Sequence, residues 1–146
     1  MFVALAAGAV MYYMQVYAFY EEVAAKNVTV ELTSIVSGEP EEIIADDFQG
    51  IESISAPIGF RGCFTTPMSL SLLTETYVAY EGAEPLIGPG WFSCYDAKTI
   101  GADLESGVAL PFLGHKNIAD GIDRVVAVYP DGRAYIWHQI NEKYAD

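Results

Sequence analysis

The chain has 146 residues, of which 52% are hydrophobic, and its formal net charge is −13 at pH 7. This length accommodates one domain plus an anchor, and the apolar content excludes a disordered chain. A chain with this much negative charge repels nucleic acid and anionic lipid headgroups, and it can attract basic proteins or cations. The alternative interpretation is that the charge only keeps the domain soluble. We therefore expect no nucleic-acid partner.

Residues 1–20 carry no charged side chain, and Gln15 is their only strongly polar one. Twenty helical residues span about 30 Å, the thickness of a bilayer core, and this stretch shows no amphipathic period. A signal peptide normally has a basic start and a shorter apolar part, although Val23-Ala24-Ala25 resembles a weak cleavage motif. We predict a transmembrane anchor helix within residues 1–25, in contact with membrane lipid, and a separate domain over residues 26–146.

The predicted anchor has two further features. Ala4 and Gly8 form a small-xxx-small pair that allows another helix to approach closely, although such pairs are common in membrane spans. Aromatic side chains are concentrated in its second half, where Tyr typically marks the boundary between hydrocarbon and headgroups. We assign these residues to the membrane interface: Tyr12, Tyr13, Tyr17, Phe19 and Tyr20.

Residues 28–36 alternate apolar and polar side chains and predict a strand, which the turn Ser37–Pro40 connects to a short return strand. Residues 46–57 resemble a loop, and residues 58–65 a strand. Thr66 and Pro67 are typical of a helix N-terminus, so a helix is predicted from there to Gly82.

A second helix is predicted over residues 97–105, with Asp96 as its N-cap and Gly107 at its end. Residues 108–113 are predicted to form a strand, in which Pro111 marks an edge or a bulge. Two alternating runs joined by Pro130-Asp131-Gly132 predict a β-hairpin. The predicted fold class is α+β, with a small antiparallel sheet and two packed helices.

Cys63 and Cys94 are the only cysteines, and they form no Cys-x-x-Cys motif. Two cysteines in a small exported domain favour one disulfide, which would stabilise the fold by roughly 3–4 kcal/mol through closure of a loop of about thirty residues. The alternative is two buried free thiols. A disulfide favours a single-pass protein of the bacterial inner membrane with its C-terminal domain in the periplasm.

The sequence lacks the motifs of c-type haem attachment, thioredoxin-type redox chemistry, phosphate-binding loops and the serine nucleophile elbow. We therefore predict no cofactor and no catalytic residue. His138 alternates with Trp137, so we expect it half-exposed on the opposite face of a strand. The spacing of His115 and His138 does not support a metal site.

Five carboxylates lie within nine residues and lack the order of a calcium-binding loop: Glu39, Glu41, Glu42, Asp46 and Asp47. A solvated face is one interpretation. The other is an acidic docking patch for a basic periplasmic protein, such as an electron carrier.

Four segments carry a resemblance to a known group of proteins: "YYMQVYAFYEEV", "DDFQGI", "FRGCFTTPMSLSLLTETYVAYEGAEPLIGPGWFSCYDA" and "DRVVAVYPDGRAYIWHQINEKY". The chain resembles a family of small uncharacterised proteins from alphaproteobacteria of the Rhodobacter group. Some relatives carry the label histidine kinase, but this chain has no room for a dimerisation helix pair and an ATP-binding domain. The resemblance implies no activity and no site residues.

These observations favour a non-catalytic accessory subunit of a larger membrane complex, respiratory or photosynthetic, that stabilises the complex or helps a periplasmic partner to dock. The alternatives are a free anchored binding or assembly factor, and an enzyme whose site residues are distant in sequence.

Overall fold

The structure is a computed structural model, and it describes residues 20–24, 28–53 and 56–141. The strands are β1 Tyr20–Val23, β2 Glu31–Thr33, β3 Pro40–Glu42, β4 Asp46–Ser53, β5 Arg61–Thr65, β6 Leu110–Ala119, β7 Ile122–Val128 and β8 Arg133–Ile140. The helices are α1 Leu70–Thr76 and α2 Ala97–Ser106, and a 3₁₀ turn covers Pro57–Gly59. Six strands form an antiparallel sheet in the order β1-β4-β5-β8-β7-β6, and β2 pairs with β3. The predicted antiparallel sheet with two helices is thus confirmed.

Strand β7 is buried on both faces of the sheet, which explains its nearly continuous apolar sequence. Val125 and Ala127 belong to one core cluster, whereas Val126 and Val128 belong to the other. The turn from β7 to β8 contains Gly132 at φ +95°, and a Cβ there would lie 2.6 Å from the Thr66 carbonyl oxygen. Only glycine fits this position of the turn. Strands β7 and β8 pair in antiparallel fashion, so the predicted hairpin is confirmed.

Two apolar clusters lie on opposite faces of the sheet. The β2–β3 hairpin and α1 cover the first, which contains Leu32, Phe64, Leu73, Phe112 and Ile136. The second is covered by α2 and by the segment before it, and it contains Ile51, Phe92, Tyr95, Ile100 and Trp137. The molecule therefore has three layers, with the sheet in the middle.

Residues 46–57 were predicted to be a loop, but most of them form β4. Aspartate and glycine are depleted in strands, and this composition obscured the strand. The structure shows why glycine is required: Gly50 and Gly62 are cross-strand partners, and a Cβ on either would lie within 3.1 Å of the Phe48 ring. The two glycines make room for this ring against the sheet.

The first helix was predicted too long at both ends. Its N-cap is Ser69, whose side chain accepts a hydrogen bond from the Leu72 amide, and it ends at Thr76. The chain then becomes extended and bridges the sheets through the pairs Ser34–Tyr77 and Ala79–Phe112. The β-branched and aromatic residues of this segment favour extended backbone.

The second helix agrees with its prediction. The Asp96 side chain accepts hydrogen bonds from the Lys98 and Thr99 amides, and Gly107 ends the helix at φ +81°. Pro111 lies in β6, which is an edge strand of the six-stranded sheet and has irregular register with β7.

The anchor prediction for residues 1–25 was wrong at its C-terminal end. Tyr20–Val23 form β1, in register with β4 from the Tyr20–Ser53 pair to the Val23–Gly50 pair. The folded domain therefore includes residues that were assigned to the anchor.

The other site residues predicted for the anchor lie outside the described residues. They are the helix-packing residues Ala4 and Gly8 and the interface residues Tyr12, Tyr13, Tyr17 and Phe19. Over the part of the chain that the structure describes, no helix is long and apolar enough to cross a membrane.

Candidate functional site

All five carboxylates of the predicted docking patch are exposed: Glu39, Glu41, Glu42, Asp46 and Asp47. They do not share one surface. Glu41 and Glu42 are successive residues of β3, so their side chains project to opposite sides. Glu42 and Asp47 line a groove of about 550 Å³. Glu41 lies near the Tyr77 hydroxyl, whose pKa is raised by burial and by this carboxylate.

A second acidic group, which the sequence analysis did not single out, lines a cleft of about 600 Å³. Its carboxylates come from three strands: Glu21, Glu22, Glu31 and Glu52. Glu21 is directly opposite Glu52 in the β1–β4 pair, and Glu31 is opposite Glu42 in the β2–β3 pair. No local motif could have revealed this cleft, because strand pairing brings distant residues together.

The floor of this acidic cleft is built around His138. The imidazole stacks on Phe60 at 4.8 Å between ring centroids, and the Arg124 guanidinium lies 4.6 Å from the centre of the same phenyl ring. Arg124 Nε donates to His138 Nε2 at 3.0 Å. Since a guanidinium can only donate, Nε2 is unprotonated and the neutral ring carries its proton on Nδ1. That nitrogen donates to the Pro57 carbonyl oxygen at 2.6 Å.

The environment of His138 keeps its imidazole neutral. Burial lowers its pKa to about 4, with smaller contributions from the charges of Arg124 and Arg61, while the hydrogen bond to Pro57 opposes the shift. The side chain is only 5% exposed, so the expectation of a half-exposed histidine was wrong. It does point away from the face of Trp137, as predicted. With both ring nitrogens hydrogen-bonded, the imidazole joins the 3₁₀ turn to β7 and β8.

Arg61 is buried on the opposite face of the sheet, beside its cross-strand partner Trp137. Its guanidinium donates to four carbonyl oxygens, those of Ile58 at 2.6 Å, Phe60 at 2.7 Å, Leu86 at 3.1 Å and Ile87 at 3.5 Å. Burial lowers the pKa of the guanidinium, with the Tyr95 and Tyr20 hydroxyls opposing the shift. Arg61 thus fastens the 3₁₀ turn and the segment before α2 to the sheet.

The structure confirms the predicted disulfide. Cys63 of β5 is bonded to Cys94, and the two Cα atoms are 6.3 Å apart. Cys63 belongs to the second apolar cluster, and Cys94 packs against this cluster. The bond fixes the segment that leads into α2 against the middle of the sheet.

A third polar group surrounds the buried Asp123 near one end of β7. Its carboxylate accepts hydrogen bonds from the Tyr80 hydroxyl and the backbone N–H of Asn117, both at 2.9 Å. It also accepts one from the Asn141 side-chain amide at 3.0 Å. The adjoining pocket is about 230 Å³. Among the described residues, no three His, Cys, Asp or Glu side chains are arranged to hold a metal ion.

The sequence model of one protein family, described as "Family of unknown function (DUF6446)", matches residues 30–146. The chain belongs to this family. The part matched to DUF6446 contains the disulfide, Arg61 and the floor of the acidic cleft, whereas β1 with Glu21 and Glu22 precedes it. No curated protein matches the chain. No solved structure matches it either.

Proposed function

We propose that this chain is a non-catalytic, membrane-anchored accessory subunit of a larger bacterial membrane complex, and that its acidic cleft helps a basic periplasmic protein to dock. Residues 1–19 supply the anchor in the inner membrane, and the disulfide-bonded domain lies in the periplasm. A soluble electron carrier with a lysine-rich face is the partner class that suits a respiratory or photosynthetic complex.

The observation that carries this proposal is the pairing of like charges across the strands. Glu21 opposite Glu52 and Glu31 opposite Glu42 each place two carboxylates on neighbouring strands, an arrangement that destabilises a sheet. Solubility requires no such pairing, since charges spread over the surface serve it equally well. A cationic partner would offset the repulsion. Arg124 also lines the cleft and interacts with Glu31, but four glutamates against one arginine leave the cleft with a net negative charge. A negative field raises the encounter rate with a cationic partner by about 10- to 1000-fold at low salt.

The position of β1 supports an anchored domain. Strand β1 begins at Tyr20, directly after nineteen residues without a charged side chain. The Cys63–Cys94 disulfide supports placement in an oxidising compartment, because reducing cytoplasm keeps most thiols free.

A charge-neutralised variant tests the docking role. We would replace Glu21, Glu31 and Glu52 with Gln in the full chain in membranes, and measure the association rate of a lysine-rich periplasmic electron carrier from low to physiological salt. The matched control replaces three exposed glutamates outside the cleft with Gln: Glu75, Glu81 and Glu105. We expect the cleft variant to lose roughly tenfold in rate at low salt and the control to lose much less, because nearby charges dominate steering.

Equal rates for the cleft variant, the control and the parent at every salt concentration would contradict the docking role. The subunit role is tested separately by crosslinking in intact membranes, followed by purification of the full chain in mild detergent. Recovery of the chain alone would contradict membership of a complex, whatever the kinetic result.

A further inference from the structure

Four apolar residues from two loops form an apolar tip at one end of the sheet: Pro57, Ile58, Leu86 and Ile87. The side chain of Ile87 is 83% exposed, and Pro57 is exposed as well. The two loops are adjacent because the Arg61 guanidinium donates to the carbonyl oxygens of both Ile58 and Ile87.

The apolar tip is held firmly by buried polar groups. The Leu86 carbonyl oxygen accepts two hydrogen bonds, from Arg61 Nε at 3.1 Å and from the Tyr95 hydroxyl at 2.8 Å. On the other loop, the Pro57 carbonyl oxygen accepts the His138 Nδ1 proton. Single exposed apolar side chains are common, but the apolar tip brings apolar residues of two loops together, and contiguous apolar patches mark contact surfaces.

The apolar tip lies at the end of the sheet where the chain enters the domain. Tyr20, the first residue of β1, is paired with Ser53, and a Cβ on Gly59 of the 3₁₀ turn would lie 2.2 Å from the Ser53 Cβ. The Tyr20 hydroxyl is close enough to the Arg61 guanidinium to interact with it electrostatically. Tyr20 therefore lies beside the group that fixes the tip.

We infer that the apolar tip is a membrane-contact surface, and that Ile87 inserts into the lipid interface beside the anchor. This inference rests on the anchor in the proposed function. With that anchor ending before Tyr20, this residue would lie at headgroup level, and it is itself the first residue of an edge strand of the sheet. Glu21 and Glu52 follow one residue further along their strands, about 3 Å deeper in the domain. This arrangement fits a zwitterionic lipid surface, because the carboxylates repel an anionic one.

An environment-sensitive fluorophore tests the insertion. The only two cysteines are joined in the disulfide, so a cysteine introduced by Ile87→Cys or Pro57→Cys is the single free thiol for an NBD label. The labelled full chain is reconstituted in phosphatidylcholine vesicles with or without nitroxide groups on the acyl chains. The control is Pro130→Cys in the exposed β7–β8 turn. This turn precedes Arg133, the first residue of β8, which lies four strand residues, or about 13 Å, from Trp137, the partner of Arg61.

We expect the labels at positions 57 and 87 to emit at shorter wavelength than the label at position 130, and nitroxide lipid to reduce their emission by about twofold or more. If all three labels emit as in water while the protein floats with the vesicles, the membrane-contact surface is overturned and the anchor stands. If the chain does not float with the vesicles, the anchor in the proposed function fails, and the inference fails with it.

Discussion

Arg61 and His138 hold the same 3₁₀ turn from opposite faces of the sheet. Arg61 bonds to the carbonyl oxygens of Ile58 and Phe60, and His138 bonds to that of Pro57. Both polar side chains are at least 95% buried, with relative exposures of 4% and 5%. Buried polar groups are costly unless they are hydrogen-bonded, so each residue stabilises the fold only as long as its geometry is kept.

We predict that His138 makes stability depend on pH between about 6.5 and 4. Its native pKa is lowered to about 4, chiefly by burial, so the unfolded chain takes up a proton that the native chain does not bind. The contribution is fully present above pH 6.5 and is lost as pH falls towards 4, with about 2 kcal/mol lost between pH 7 and 5.

This loss of unfolding free energy is measured by urea unfolding of the full chain in mild detergent. Unfolding is monitored by the fluorescence of the two tryptophans, Trp91 and Trp137. The variant His138→Gln should show a smaller fall in unfolding free energy between pH 7 and 5 than the parent, even if it is less stable overall. His115→Gln controls for the removal of an imidazole as such. A parent and a His138→Gln variant with the same slope would contradict the role of this residue.

We predict that Arg61→Lys lowers the free energy of unfolding by about 2 kcal/mol. A lysine ammonium is a compact group and cannot reach four carbonyl oxygens in two loops, so buried acceptors lose their donors. The control is Arg133→Lys, since Arg133 is exposed and paired with exposed Asp131 at 2.7 Å. Surface pairs of this kind contribute little, and the control should stay within about 0.5 kcal/mol of the parent. A smaller effect at position 61 than at position 133 would refute the prediction.

At the scale of elements, the sequence was most informative where one residue type fits a local geometry. Asp96 begins α2 and Gly107 ends it, as expected. The β7–β8 turn requires a glycine because a side chain there would collide with the Thr66 carbonyl oxygen. The sequence was least informative for β4, whose glycines accommodate the Phe48 ring, a contact that depends on the neighbouring strand β5. The acidic cleft was missed for the same reason, because its carboxylates come from strands far apart in sequence.

The disulfide was predictable because the chain contains only two cysteines. We predict that the double variant Cys63→Ala, Cys94→Ala has a free energy of unfolding about 3 kcal/mol lower than the parent. The bond closes a loop with a sequence separation of 31 residues, which restricts the unfolded chain. Urea unfolding of the parent, with and without reductant, provides the comparison. A reduced parent as stable as the oxidised one would show that the bond contributes nothing to stability.

At the scale of the whole molecule, the net charge of −13 is distributed unevenly. Directly opposed glutamates on β1 and β4 and on β2 and β3 concentrate repulsion at one region of the domain. The proposed docking function would therefore conflict with stability, because the charges that attract a partner also repel each other.

We predict that Glu52→Lys stabilises the domain and weakens docking. An opposite charge facing Glu21 should raise the free energy of unfolding by roughly 0.5–1 kcal/mol at low salt, and less at 1 M salt, where screening is strong. The measurement is urea unfolding at two salt concentrations, beside the association rate of the basic electron carrier. Glu75→Lys on α1 is the control for adding one lysine to the surface. A Glu52→Lys variant that is no more stable than this control would contradict the cross-strand repulsion.

The position of β1 at the edge of the six-stranded sheet has a mechanical consequence. A pull on the chain before Tyr20 would reach the sheet through this edge strand. Strand β1 is held to β4 along its whole length, from the Tyr20–Ser53 pair to the Val23–Gly50 pair. Tension along β1 loads these hydrogen bonds together in shear, because they run perpendicular to the strand. Such a pull would therefore be shared by the whole β1–β4 pair and would not break one hydrogen bond at a time.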